Sequence, residues 1–243
     1  MKKAVKNAAL VLLFLALCAA VAYLAYLQLI RRGEKDLSGQ WTMELDLTEH
    51  ASVTALSWLQ EIEAVSVSLE EIEAGMDNLK VQVDLTFEQT DRSGGTFLCS
   101  VSSTSYDACR QKAYEAFAAA FRELLAQRLR MAGYEGGTDQ ETIEALVAET
   151  FGMSTVSYLM SCVPKLLPSL EELQAEYEGS GAYEAEEGIL TRQYGEGRDA
   201  VARTERYIRQ GCDLVFLEEV DSARSPVFFH SYPVIYTLEI TQE

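Results

Sequence analysis

The sequence predicts an α+β domain: an antiparallel sheet curled into a closed or partly open barrel, interrupted mid-chain by a helical block and preceded by one transmembrane helix. Three observations lead there. Ala8 to Ile30 is a run of 23 residues without a charge. Residues 41–48 and 79–88 alternate apolar and polar side chains with strict period two, as half-buried strands do. Between 105 and 131 the apolar spacing switches to 3 and 4, the period of an amphipathic helix, and strand-like sequence resumes only after 181.

The N-terminal run would span about 34 Å as a helix at roughly 1.5 Å per residue, enough for a bilayer core of about 30 Å. Leu10, Leu13 and Phe14 form its apolar body, and Tyr23 and Tyr26 stand near one end, where amphipathic rings favour the interface. A cleaved signal and a lipid-modified Cys18 are alternatives. The run is longer than the apolar core of a signal peptide, and Leu17 sits where a lipoprotein signal places a small residue. An uncleaved anchor over residues 1–32 is the preferred reading. Lys2, Lys3 and Lys6 precede the run and Arg31, Arg32 and Lys35 follow it, a slight bias. A short basic N-terminus is retained in the cytoplasm, so the expected location is the cell membrane, single-pass, with the C-terminal domain extracellular.

The 243-residue chain carries 38 acids and 20 bases, a net charge of −18. All 38 acids lie beyond Gly33, against 15 of the bases, which leaves that part at −23. Such a body excludes nucleic-acid binding by phosphate neutralisation and is repelled by anionic headgroups.

Residues 33–38 form a short polar linker to a domain at 39–243. Trp41, Met43, Leu45 and Leu47 share one strand face, and Val53, Leu56, Leu59 and Ile62 one helix face. Leu79, Val81, Val83, Leu85 and Phe87 line a second strand, whose turn at Asp91-Arg92-Ser93-Gly94-Gly95 returns through Thr96–Val101. A helical insert at 105–178 follows. Its parts are a long helix over 105–131 ended by Gly133, a capping box at Thr138–Glu141, an apolar stretch at 153–163, and a last helix opened by Pro168-Ser169. Glu186-Glu187-Gly188 turns between strands at Tyr183 and Leu190. Further strands are read at 203–209, at 213–217 and from Pro233 to the end, where Val234, Tyr236, Leu238 and Ile240 share a face.

Gly39-Gln40-Trp41 opens the first strand as the Gly-x-Trp of lipocalins does. Together with Leu45–Thr48, Leu85-Thr86-Phe87 reaching Gly95-Thr96-Phe97, and the tail from Gly181-Ala182-Tyr183 to Tyr232-Pro233-Val234, the domain resembles membrane-anchored lipocalin-like proteins of Gram-positive bacteria. The resemblance implies a barrel with Trp41 closing its floor and an apolar pocket, and brings no known activity with it. Lipocalins cover that Trp with an Arg near the last strand. Here the last arginine, Arg224, precedes that strand, and the helical block sits mid-chain rather than after the barrel.

Catalytic chemistry finds little support. His50 and His230 are the only histidines, and neither lies in a zinc or nucleophile motif. His50 reads as a cap or a solvated residue, His230 as a packed aromatic. No Cys-x-x-Cys occurs, and a Cys99–Cys109 bridge is the disulfide hypothesis for an oxidising exterior. Acid clusters at 70–73, 184–187 and 218–221 lack a calcium-loop pattern and read as solvated faces. No catalytic, metal or cofactor residues are assigned. The expectation is a non-enzymatic binding module, its pocket or core built from Trp41, Phe87, Phe97, Phe117 and Phe121, for a small apolar molecule or a peptide. The alternative is an envelope protein–protein interaction module without a ligand pocket. A hydrolase ranks last.

Overall fold

The computed structural model describes residues 36–62, 75–195, 200–222 and 229–239, with Val21, Tyr23, Ile72 and Gly197. The strands are β1 (Gly39–Asp46), β2 (Lys80–Gln89), β3 (Gly94–Val101), β4 (Gly179–Glu186), β5 (Ile189–Tyr194), β6 (Val201–Gln210), β7 (Asp213–Ser222) and β8 (Val234–Leu238). They pair in sequence order, all antiparallel, and β8 returns to β1 to close a barrel. The predicted α+β barrel is present. Among the described residues no helix is long and apolar enough to cross a membrane. Leu10, Leu13, Phe14 and Tyr26 lie outside the described residues, and Tyr23 is helical and exposed.

Helices α1 (Thr48–Ile62), α2 (Ser103–Met131), α3 (Gln140–Phe151), α4 (Thr155–Cys162) and α5 (Leu170–Tyr177) complete the domain. Four of them, α2 to α5, form the predicted mid-chain insert. The chain direction sorts the connections between the two barrel ends. Turns at 90–93, 187–188 and 211–212 lie at one end, the floor. α1, the α2–α5 insert and the connections after β5 and β7 lie at the other, the mouth. Tight turns suit the floor because the strands there are bonded neighbours. At the β4–β5 turn Glu187 and Gly188 both take positive φ (51° and 79°), the geometry of a two-residue hairpin loop.

Alternation places Trp41, Met43, Leu45, Val81, Val83, Leu85 and Phe87 in the buried core. Trp41 is fully buried at the floor, and its indole Nε1 donates to the Leu37 carbonyl at 2.8 Å. The Arg209 guanidinium, from the floor end of β6, lies 5.4 Å from the Trp41 ring. The covering arginine that the sequence does not show near the last strand is therefore supplied by β6, three strands from β1 around the barrel.

The helices begin where short polar side chains meet free backbone N–H groups. Ser102, Ser154 and Ser169 each accept from the amide three residues on, and Ser169 with Glu172 forms a complete capping box. The capping box read at Thr138–Glu141 does not form, and α3 starts one residue later on a simple cap. Asp139 is the cap, and its carboxylate accepts from both the Thr142 amide (3.0 Å) and the Thr142 hydroxyl (2.7 Å). Replacing Ser169 with Ala leaves the Glu172 amide uncapped, and thermal denaturation should show a loss of about 1 kcal/mol.

α2 packs against the start of β2, and Trp58 of α1 meets Phe117 and Phe121 of α2 at 5.7 and 5.8 Å between ring centres. Tyr106 and Tyr114 of α2 donate to the Pro168 and Val163 carbonyls, tying the long helix to the connection between α4 and α5. The Cys99–Cys109 bridge is absent, and both thiols are free and buried. Cys99 faces the barrel interior near Arg192 and Glu205, whereas Cys109 faces Lys112 and Asp46 from α2. Burial pushes each thiol up to about 11, so both are unreactive at neutral pH.

Candidate functional site

The barrel interior is divided by chemistry. Toward the floor it is aromatic and aliphatic, with Phe87 edge-on to Tyr183 and Leu190, Tyr207 and Leu214 around them. Toward the mouth it is charged. Arg192 of β5 and Glu205 of β6 form an ion pair, only 4% and 3% exposed. Arg203 of β6 reaches Glu176 of α5 and Glu219 of β7, each at 3.2 Å. Tyr232 donates to the second Glu205 oxygen at 2.9 Å. The Arg192 guanidinium also lies 5.4–5.8 Å from the rings of Phe97, Tyr194 and Phe216. Burial alone would lower the Arg192 pKa. Glu205 and the neighbouring phenols outweigh it and hold the pKa well above the ordinary arginine value. Burial raises the pKa of Glu219, with Glu205 and Glu176 adding to it and Arg203 and Arg192 opposing.

These side chains fill the lumen. The space left among Cys99, Tyr177, Arg192, Arg203, Glu205 and Tyr236 is about 10 Å³, the room one water needs. Arg192 Nε is buried there without a hydrogen-bond partner among the described residues, a donor such a water would satisfy.

His230 closes the mouth beside this network. Its Nδ1 lies 2.5 Å from the Tyr177 hydroxyl of α5, and its ring is edge-on to Tyr232. Burial first, then Arg203 and Arg192, push its pKa down to about 4, with Glu205 opposing. Between pH 6.5 and 4 the unfolded chain gains a proton that the folded domain refuses. The stability contributed by the neutral ring is complete above 6.5 and is lost as the pH falls through this window. Urea midpoints measured from pH 7 to 5 should fall, and the fall should be shallower in His230→Gln.

The larger space is outside the lumen. β1 and β8 pair only at Trp41↔Leu238 and Thr42↔Thr237, extended by the Glu239 amide donating to the Gln40 carbonyl at 2.8 Å. That bond shows that even-numbered β1 residues turn their backbone groups toward β8, and the Leu47-to-Leu79 bond puts odd-numbered ones toward β2. Glu44 and Asp46 are next in line. Continued register sets them opposite Ile235 and Pro233, and no pairing joins them among the described residues. Pro233 has no N–H to offer. Here the seam opens into a groove of about 970 Å³, near the upper limit for ligand clefts. Met43–Thr48, the first turns of α1 through Val53 and Thr54, and residues 229–235 line it. Val53 and Ile235 are 45% and 54% exposed. Asp46, Glu49, His50 and the Lys80-paired Glu44 supply its polar part. Burial lowers the His50 pKa while Glu172 pulls it up.

The five aromatic residues nominated from sequence fall in two places. Trp41, Phe87 and Phe97 face the barrel interior, where Phe97 stacks edge-on with Tyr194. Phe117 and Phe121 meet Trp58 between α1 and α2. Sequence reasoning missed Arg192, Arg203, Glu205 and the Arg209 cover. It read 218–221 as a solvated face, but Glu219 turns inward to Arg203 while Glu218 pairs with Arg206 outside. One signal was present: Arg192 and Tyr194, like Arg203, Glu205 and Tyr207, occupy alternate positions, so each strand presents one uniform face that mixes charge with aromatic rings. His230 packs among aromatic rings as read, and His50 is exposed, 6.0 Å from the Phe229 ring centre. No group of acids, histidines and cysteines suited to a metal occurs among the described residues.

Fold and site together define an eight-stranded antiparallel barrel with a helical insert at its mouth and an open groove at its seam. Comparison with protein-family models, curated proteins and solved structures finds no match to this chain.

Proposed function

We propose that this chain is a non-enzymatic binding module of the cell envelope, held to the membrane by residues 8–30, that engages a polypeptide partner on the outside of its barrel. The observation that carries this is the contrast in space: about 10 Å³ around the buried Arg192–Glu205 pair in the lumen, about 970 Å³ in the seam groove. An apolar molecule in the lumen would have to displace a buried Arg–Glu pair and break its hydrogen bonds, which is costly. The acidic body fits an extracellular domain kept off anionic headgroups. The resemblance to membrane-anchored lipocalin-like proteins fits the tether and the barrel.

Two measurements on the full chain in nanodiscs test the reading. A photo-crosslinking residue in place of Val53 should join the domain to a polypeptide in envelope preparations, and the same residue in place of the exposed Leu98 should not. Native mass spectrometry should find no small molecule retained. A stoichiometric apolar molecule that survives purification would replace this reading with a luminal ligand.

A further inference from the structure

We infer that the seam groove takes an extended, basic segment of a partner polypeptide, which adds as a strand to the free edge of β1. The inference rests on the reading of the domain as an external binding module and names the partner's chemistry. Three independent features converge on it. The first is the backbone. Glu44 and Asp46 point N–H and C=O groups toward β8 without a strand partner, and Ile235 does the same from the other side. A free edge of this kind is a template for an added strand, which would satisfy groups the barrel leaves open.

The second feature is charge. Asp46 and Glu49 form no ion pair among the described residues, Glu44 is exposed beside Lys80, and no Lys or Arg among the described residues lines the groove. Among the described residues its bases are His50 and His230, both with lowered pKa and so neutral at pH 7. A basic segment is complemented there and an acidic one is repelled. The third is side-chain alternation. Along the seam Glu44, Asp46 and Ile235 turn outward and are exposed, while Met43, Leu45 and Val234 turn inward and are buried. Val53 stands on the α1 side. An added strand with residues alternating basic and β-branched would turn its cations outward beside Glu44 and Asp46 and its β-branched side chains inward toward Met43, Leu45 and Val234.

The test uses the full chain in nanodiscs and the capped synthetic peptide Lys-Val-Lys-Val-Lys-Val. Binding should be saturable, and amide exchange at Glu44, Asp46 and Ile235 should slow at least tenfold when the peptide is present. Glu49→Lys, an exposed change, should weaken binding about tenfold. Asp46→Lys should weaken it further, although it also removes the bond from Asp46 to the Thr48 amide. A peptide of the same charge with alternate backbone nitrogens methylated should fail to bind. Equal binding of the methylated peptide, or unchanged exchange at the three amides, would overturn strand addition. Binding of Glu-Val-Glu-Val-Glu-Val at least as tight as that of the basic peptide would overturn the assigned charge. Neither result touches the wider reading, which stands or falls on the crosslink at position 53 and the absence of a luminal molecule.

Discussion

Arg192→Met should destabilise the domain by about 3–5 kcal/mol, because it strands the Glu205 carboxylate inside the barrel without its counter-charge. Glu205 is 3% exposed, and besides Arg192 the Tyr232 hydroxyl donates to it. Arg203 is already engaged by Glu176 and Glu219 and cannot replace Arg192 without breaking those pairs. Arg192→Met combined with Glu205→Leu should recover most of the loss. What remains is the Tyr232 hydroxyl left without its acceptor, about 1–3 kcal/mol. Urea denaturation of the wild type, both single variants and the double variant closes the cycle. A double variant no more stable than Arg192→Met alone would mean that the loss comes from cavity and packing changes rather than from the abandoned charge.

Trp41→Ala is expected to cost about 3–5 kcal/mol by emptying the floor. Three contributions separate here. Trp41→Phe keeps a ring but leaves the Leu37 carbonyl without its donor, for about 1–3 kcal/mol. Arg209→Ala removes the cation over the ring face, for about 0.5–2 kcal/mol. The order should be Trp41→Ala, then Trp41→Phe, then Arg209→Ala. Denaturation midpoints give the ranking, with far-UV circular dichroism checking that the barrel persists. If Arg209→Ala proved as costly as Trp41→Ala, the guanidinium rather than the ring would be the principal closure of the floor.

The barrel was most legible where its interior is greasy. β1 and β2 alternate without exception, so their faces follow from sequence, as does the β2–β3 hairpin. Legibility fell where charges point inward. β6 carries Arg203 and Glu205 on its buried face, so its alternation is polar on both sides and hydrophobicity defines only 203–209 of a strand that runs from Val201 to Gln210. β7 was read only to Leu217. Register shifts against β6 at Thr204/Glu205 and Arg206/Tyr207 break the period-two pattern beyond it. The caps of α2 to α5 follow short-range rules, and Pro168-Ser169 marked α5 correctly. The seam groove had no sequence signal. It depends on β8 meeting β1 across almost the whole chain, and on Pro233 falling where a donor is needed, neither of which local patterning encodes.

The chain enters at Leu37 beside the floor, and its last described residue, Glu239, bonds Gln40 at the same end. A strand of eight residues tilted in a barrel rises roughly 20 Å. On the proposed anchoring through residues 8–30, the domain turns its hairpin loops toward the lipid and holds Asp46, Glu49 and the crown of helices on the far side, about that distance farther out. Shortening the stalk would bring the blunt base down against the headgroups while leaving the outward lip unobstructed.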